Sequence, residues 1–175
     1  RVLFRSEFLW QRDIMNGLHV PYVALIGNHD CLGTGAETYK AVFGSTNFSF
    51  IAGNVKFVCL NTNALEYDYS EPVPDFTFME NEITNRREEF EKTVICMHAR
   101  PYTDVFNDNV AKVFQHYVKQ YAGIQFCTAA HTHHYQDDVI FDDGIHYVTS
   151  DCMDYRTYLV FTITPEKYEY ELVKY

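Results

Sequence analysis

No apolar run in the 175 residues approaches the ~20 needed to cross a membrane, so no membrane span is expected. There is no CxxC spacing among the five cysteines. Cys31, Cys59, Cys96, Cys127 and Cys152 are odd in number, widely spaced and mostly set in apolar runs, which reads as buried thiols rather than a disulfide framework or zinc knot. Positive charge is scarce: 14 Lys and Arg face 24 Asp and Glu, for a formal net charge of −10. Bulk electrostatics therefore disfavour nucleic acid and anionic membranes, although a local metal cluster would still attract phosphate. No repeat, low-complexity segment or linker interrupts the chain. It starts at Arg1 with no charged segment leading into an apolar one, so no signal-peptide pattern is present and the compartment stays open.

The composition that remains is that of a folded domain. Hydrophobic residues at 47% against 22% charged argue against disorder. A chain of this length buries about 70% of its unfolded surface, and residues 1–175 are expected to form one domain. Apolar spacing predicts helices over 2–17 (Leu3, Phe4, Phe8, Leu9 and Met15 inward), 36–43, 76–91 and 108–121. In the last of these Val110, Val113, Phe114, Tyr117, Val118 and Tyr121 share a face. Continuous apolar runs at 22–26, 93–97 and 124–130 predict strands covered on both faces, and 48–52 with 55–60 flank a Gly-Asn turn as a hairpin. A polar loop is expected at 62–75. The tail, with β-rich stretches at 135–141, 145–150, 157–164 and 168–174, reads as an antiparallel meander. The fold class is α/β.

Each of the three buried runs ends in chemistry. Asn28, His29 and Asp30 follow the first, His98 the second, and His131 and His133 the third. In an open parallel α/β sheet, ligands bind beyond the carboxyl ends of the strands, so these residues are expected to meet on one rim. Imidazole nitrogens with an amide oxygen suit borderline divalent ions. For any one of them alone, a hydrogen-bonded loop residue is the plainer explanation; their occurrence together at matching strand ends favours a metal site.

Gly27, Asn28, His29 and Asp30, then His98, then His131, Thr132 and His133, in this order and strand context, resemble the last three motifs of the calcineurin-like metallophosphoesterase family. The resemblance implies a sandwich of two mixed β-sheets flanked by helices and hydrolysis of phosphate esters with two divalent ions of the Mn, Fe, Zn or Co class. It implies Asn28, His98 and His131 as ligands of one ion and His133 as a ligand of the other. His29 would be the general acid or phosphoryl-stabilising group, oriented by Asp30, and the substrate a phosphorylated small molecule. The chain departs from the family at two places. Ala130 stands where Gly usually precedes the first His of the last motif, and the family's opening Asp-x-His and Gly-Asp motifs do not occur. The expected explanation is that the N-terminal strands are missing. The 175 residues alone would then be weakly active or inactive, with self-association along the strand edge at 22–26. The alternative is a non-catalytic protein-binding module of the same fold.

Other polar residues carry smaller expectations. Arg100 is a phosphate clamp or a surface ion pair. His19, His116 and His146 are structural or solvated, and His134 points away from His133 if the segment is extended. Asp137, Asp138, Asp142 and Asp143 form a solvated hairpin. Substrate choice would rest with the loops at 62–75 and 99–108.

Overall fold

A computed structural model describes residues 5–64 and 71–175. Leu3 and Phe4, and the middle of the loop expected at 62–75, lie outside the described residues.

The element order is α1 (Arg5–Met15), α2 (Gly35–Phe43), β1 (Phe48–Ala52), β2 (Val55–Leu60), α3 (Phe76–Thr84), β3 (Lys92–Met97), α4 (Ala111–Val118), β4 (Ile124–Ala129), β5 (Gln136–Asp138), β6 (Tyr147–Thr149), β7 (Thr157–Ile163) and β8 (Tyr168–Lys174), with short 3-10 turns between some of them. Six strands form one mixed sheet in the order β1-β2-β3-β4-β6-β5, and β7 and β8 form a second, two-stranded sheet. The four inner strands are parallel to one another, with β1 and β5 antiparallel on the two edges.

Burial on both faces explains the unbroken apolar runs. Val58, Leu60, Ile95, Met97, Cys127 and Ala129 pack on one face against Met79 of α3 and Phe114 and Val118 of α4. Val55, Val94 and Phe126 pack on the other against Phe161, Ile163 and Tyr168 of the second sheet. Phe126 stacks on Phe161 with ring centroids 4.4 Å apart, and Lys92 Nζ donates to the Thr164 carbonyl at 2.6 Å, so the hairpin is held by a ring stack and a charged hydrogen bond. Asp75 caps α3 by accepting from the Phe78 amide at 3.0 Å, and Asn107 caps the turn before α4, each through a short side-chain oxygen suited to the position.

Three expectations are corrected. Residues 22–26 join neither sheet. They run extended beside α1 and α2, with Ile26 buried and Val23 51% exposed. A strand needs a neighbour to satisfy its backbone, and the described residues supply only side-chain partners here: Tyr39 Oη donates to the Ala24 carbonyl at 2.8 Å and Asn63 Nδ2 to that of Ile26 at 2.9 Å. The tail is not one meander, because β6 pairs in parallel with β4 while β7 and β8 leave for the second sheet. In the second sheet β7 and β8 pair antiparallel. The acidic hairpin is also more ordered than expected: Asp137 takes a hydrogen bond from Tyr170 and pairs with His146 at 2.7 Å, Asp138 pairs with Arg100 and Asp143 accepts from Gln115.

One buried ion pair ties α3 to the sheet. Lys56 Nζ, 1% exposed, reaches Glu82 Oε2 at 2.8 Å and donates to the carbonyls of Glu82 and Asn85. Burial works to raise the Glu82 pKa, but hydrogen bonds from Lys56, Ser49 and Asn85 outweigh it and hold the carboxyl below its usual range. A depressed carboxylate contributes stability at pH values above its unfolded pKa and loses that contribution as pH falls through the native one. Lys56→Met leaves Glu82 buried without its counter-charge and is expected to cost about 3–5 kcal/mol, read as a lower urea midpoint; Lys56→Met with Glu82→Gln should recover part of the loss.

Candidate metal centre

Gly27 continues the extended segment into a 3-10 turn, His29–Cys31, entered through Asn28 in the right-handed helical region. Asp30 closes the turn: its amide donates to the Gly27 carbonyl at 3.1 Å, and its carboxylate accepts from the Gly27 amide at 2.9 Å. The Asp30 carboxylate thus ties the loop's own backbone together. Desolvation raises the Asp30 pKa, against the Gly27 hydrogen bond and the nearby His29 charge. Two glycines are required by close approach. A Cβ on Gly27 would press on the His98 ring at 3.3 Å, and one on Gly35 would overlap the Asp30 carbonyl.

His98 follows β3 and His131 follows β4, and the parallel pairing of these strands brings their ends side by side. Asn28 Oδ1 lies 3.0 Å from His98 Nε2, and His131 Nδ1 lies 3.3 Å from the same nitrogen. Three atoms with lone pairs thus converge from segments 33 and 70 residues apart. Spacings near 3 Å are those of atoms that share an ion through bonds of about 2 Å. Burial is the largest cause that lowers the His98 pKa, to about 4, and the charges of His131, His133 and His29 add to it. His98 is consequently neutral near pH 7 and keeps a lone pair to offer.

The last motif is not extended. His131 and His133 both have positive φ, 67° and 58°, a conformation that His adopts more readily than most residues. The Thr132 amide turns back to the Ala130 carbonyl at 2.8 Å. Ala130 itself does not have positive φ, so its Cβ is accommodated where the family has Gly. His133 stands exposed, close enough for its charge to act on His98. His134 lies near the Tyr155 ring, 6.0 Å between centroids. His29 is exposed on its turn. Among the described residues no three His, Cys, Asp or Glu side chains gather as a metal-holding group; the cluster on this rim is two histidines completed by an amide.

Several contributors were not legible in the chain. Asn61, Thr62 and Asn63 are buried just beyond β2, although Thr62 and Asn63 fall in the polar loop expected at 62–75. Asn63 holds the Ile26 carbonyl, two residues before Asn28. Thr62 Oγ1 donates to the Ala99 carbonyl at 2.7 Å and accepts from the Ala99 amide at 3.2 Å. The Ala64 amide donates to Val105 at 2.8 Å. Asp104, in the loop after His98, places Oδ1 2.5 Å from His131 Nε2, a pairing that no spacing rule marks. Arg100 donates to Asp138 at 2.9 Å and Gln136 at 3.2 Å, the ion pair that was one of its two expected roles.

A family model for calcineurin-like phosphoesterases matches residues 4–135. No curated protein matches the chain.

Thr62 is the clasp between β2 and the His98 segment. Thr62→Val keeps the shape and removes both hydrogen bonds to Ala99, a fully buried residue. The expected cost is about 1–3 kcal/mol in urea unfolding, with amide shifts in 98–100 and 26–29 of the proton–nitrogen spectrum; unchanged shifts at 98–100 would remove Thr62 from the site's framework.

Proposed function

The chain belongs to the calcineurin-like phosphoesterase family, and from that premise we propose that this rim serves metal-assisted hydrolysis of phosphate esters. Asn28, His98 and His131 would hold one divalent ion and His133 would contribute to a second, with ions of the Mn, Fe, Zn or Co class. The observation that carries the reading is the convergence of Asn28 Oδ1 and His131 Nδ1 on His98 Nε2 at 3.0 and 3.3 Å. Two imidazoles and an amide oxygen fit that ion class. When bound, such ions supply Lewis acidity toward a phosphoryl oxygen and lower the pKa of water.

The chain's own residues have separate tasks in this reading. His98, kept neutral by burial, presents Nε2 with its proton on Nδ1. The Gly27–Asp30 hydrogen bonds hold Asn28 at the turn, so its carbonyl oxygen faces His98. His29, exposed beside the cluster, is free to approach a substrate and donate a proton to the leaving oxygen. Because the net charge is −10, attraction of an anionic phosphorylated substrate has to be local, from ions and protonated imidazole rather than from the protein's overall field.

A second reading, a non-catalytic protein-binding module, is favoured by one observation: among the described residues no carboxylate joins the three converging atoms, and Asp104 is engaged on the outer nitrogen of His131. The two readings separate in a calorimetric titration with Mn²⁺ and Zn²⁺ beside an assay on a chromogenic phosphomonoester and diester. The expectation is weak uptake and slow hydrolysis by these 175 residues. Tight binding of two ions with strong turnover would overturn the expected weakness of the chain, and no uptake at all would favour the module. Self-association along the 22–26 segment, where Val23 is 51% exposed, is also proposed; light scattering over a concentration series tests it.

In a preparation that turns over substrate, His29→Ala is expected to reduce kcat by about 10²- to 10⁴-fold with metal content unchanged by elemental analysis. His98→Ala should lose metal and activity together. Metal loss in His29→Ala would make His29 a ligand or a structural residue.

A further inference from the structure

His131 has a partner on each of its ring nitrogens: Nδ1 is 3.3 Å from His98 Nε2, and Nε2 is 2.5 Å from Asp104 Oδ1. We propose that Asp104 is the positioning residue of this site, fixing the tautomer and ring orientation of His131 so that the Nδ1 lone pair faces the ion; the inference rests on the metal reading above.

The chemistry follows from the donor inventory. An ionised carboxylate only accepts hydrogen bonds, and a neutral imidazole has one N–H and one lone pair. With Asp104 at Nε2, the proton belongs on Nε2 and the lone pair on Nδ1, the nitrogen that points at His98 and Asn28. The two ring nitrogens diverge, so a carboxylate bound to Nε2 lies on the ring's outer side. In this conformation Asp104 acts through His131 rather than beside it. A carboxylate behind a ligating imidazole also raises its basicity and restrains its rotation.

The loop that carries Asp104 is pinned on both sides. Thr103 Oγ1 donates to the Arg100 carbonyl at 2.7 Å. The Phe106 amide donates to Thr103 at 3.1 Å, and the Val105 carbonyl accepts from the Ala64 amide at 2.8 Å. Phe106 is buried in the main core. The backbone therefore delivers the carboxylate to His131 without ordering a free loop. The Asp104 side chain is itself 84% exposed, and an exposed pair adds little to fold stability. A role in positioning thus separates cleanly from a role in folding: substitution should leave unfolding nearly unchanged while altering the imidazole.

The test compares wild type with Asp104→Ala, Asp104→Asn and Asp104→Glu in the full chain. In metal-free protein, long-range proton–nitrogen spectra of the imidazoles should show His131 as the Nε2–H tautomer, and Asp104→Ala should shift it toward a mixture. In a Co²⁺ titration followed by visible absorbance, Asp104→Ala is expected to bind about 10- to 100-fold more weakly, with Asp104→Asn between and Asp104→Glu restored toward wild type. Urea midpoints should coincide. A wild type that takes up no cobalt overturns the metal reading and the positioning role with it. Cobalt bound equally by wild type and Asp104→Ala overturns the positioning role alone, as does a His131 tautomer indifferent to Asp104.

Discussion

The parallel pairing of β2, β3 and β4 is the constraint from which the rest of the site follows. Parallel neighbours run in one direction, so Leu60 sits opposite Met97, and Cys96 opposite Thr128. All three strands then end on the same edge. The crossovers that parallel pairing demands place α3 and α4 on a common face, burying Met79, Phe114 and Val118 against it. A histidine placed directly after β3 or β4 arrives at the rim whatever lies between them in sequence.

Strand ends alone would leave the ligand-bearing loops free to drift, and the short stretch beyond β2 prevents this. Asn63 reaches the segment before Asn28, Thr62 clasps Ala99 beside His98, and Ala64 is tied to Val105 beside Asp104. The Ala130 amide donates to the His98 carbonyl at 2.9 Å, joining the last motif to the second. Three consecutive residues, Thr62, Asn63 and Ala64, thus set the spacing of three loops. All but one of these anchors are fully or nearly buried, where a missing partner costs more than a bond contributes in water. The cost falls on any arrangement that separates the loops, which is how hydrogen bonds of modest individual worth can hold atoms at ligand-like distances.

How much of this the chain disclosed depends on whether a feature is local. The hairpin β1–β2 falls at the expected bounds, because its signal is a turn between two β-rich runs. Phe114, Val118 and Tyr121 occupy the buried face expected of the 108–121 pattern, though Val113 is 46% exposed and the first turn is 3-10. The meeting of Asn28, His98 and His131 was legible because all three follow long apolar runs. Contacts that depend on side-chain reach across a loop were not: Asp104 to His131, Arg100 to Asp138, and Asp30 to the Gly27 amide. No periodicity encodes these, since the distance in sequence between partners is arbitrary.

The segment at 22–26 shows the limit of reading burial as strand. Its composition matches that of β3, and an apolar run says that a segment prefers to leave water, not which backbone will pair with it. Here the apolar neighbours are helical. Ile26 packs with Phe8 of α1 and Tyr39 of α2, and Phe8 meets Tyr39 edge-on at 6.1 Å. A helix can cover a side chain but cannot complete a strand's ladder, so Tyr39 Oη and Asn63 Nδ2 take over at single carbonyls. The consequence for function is direct. Asn28 is carried not by a sheet but by an extended arm fastened at Ala24 and Ile26. Of the three converging atoms, its oxygen is therefore the one whose position depends most on side-chain hydrogen bonds and least on strand pairing.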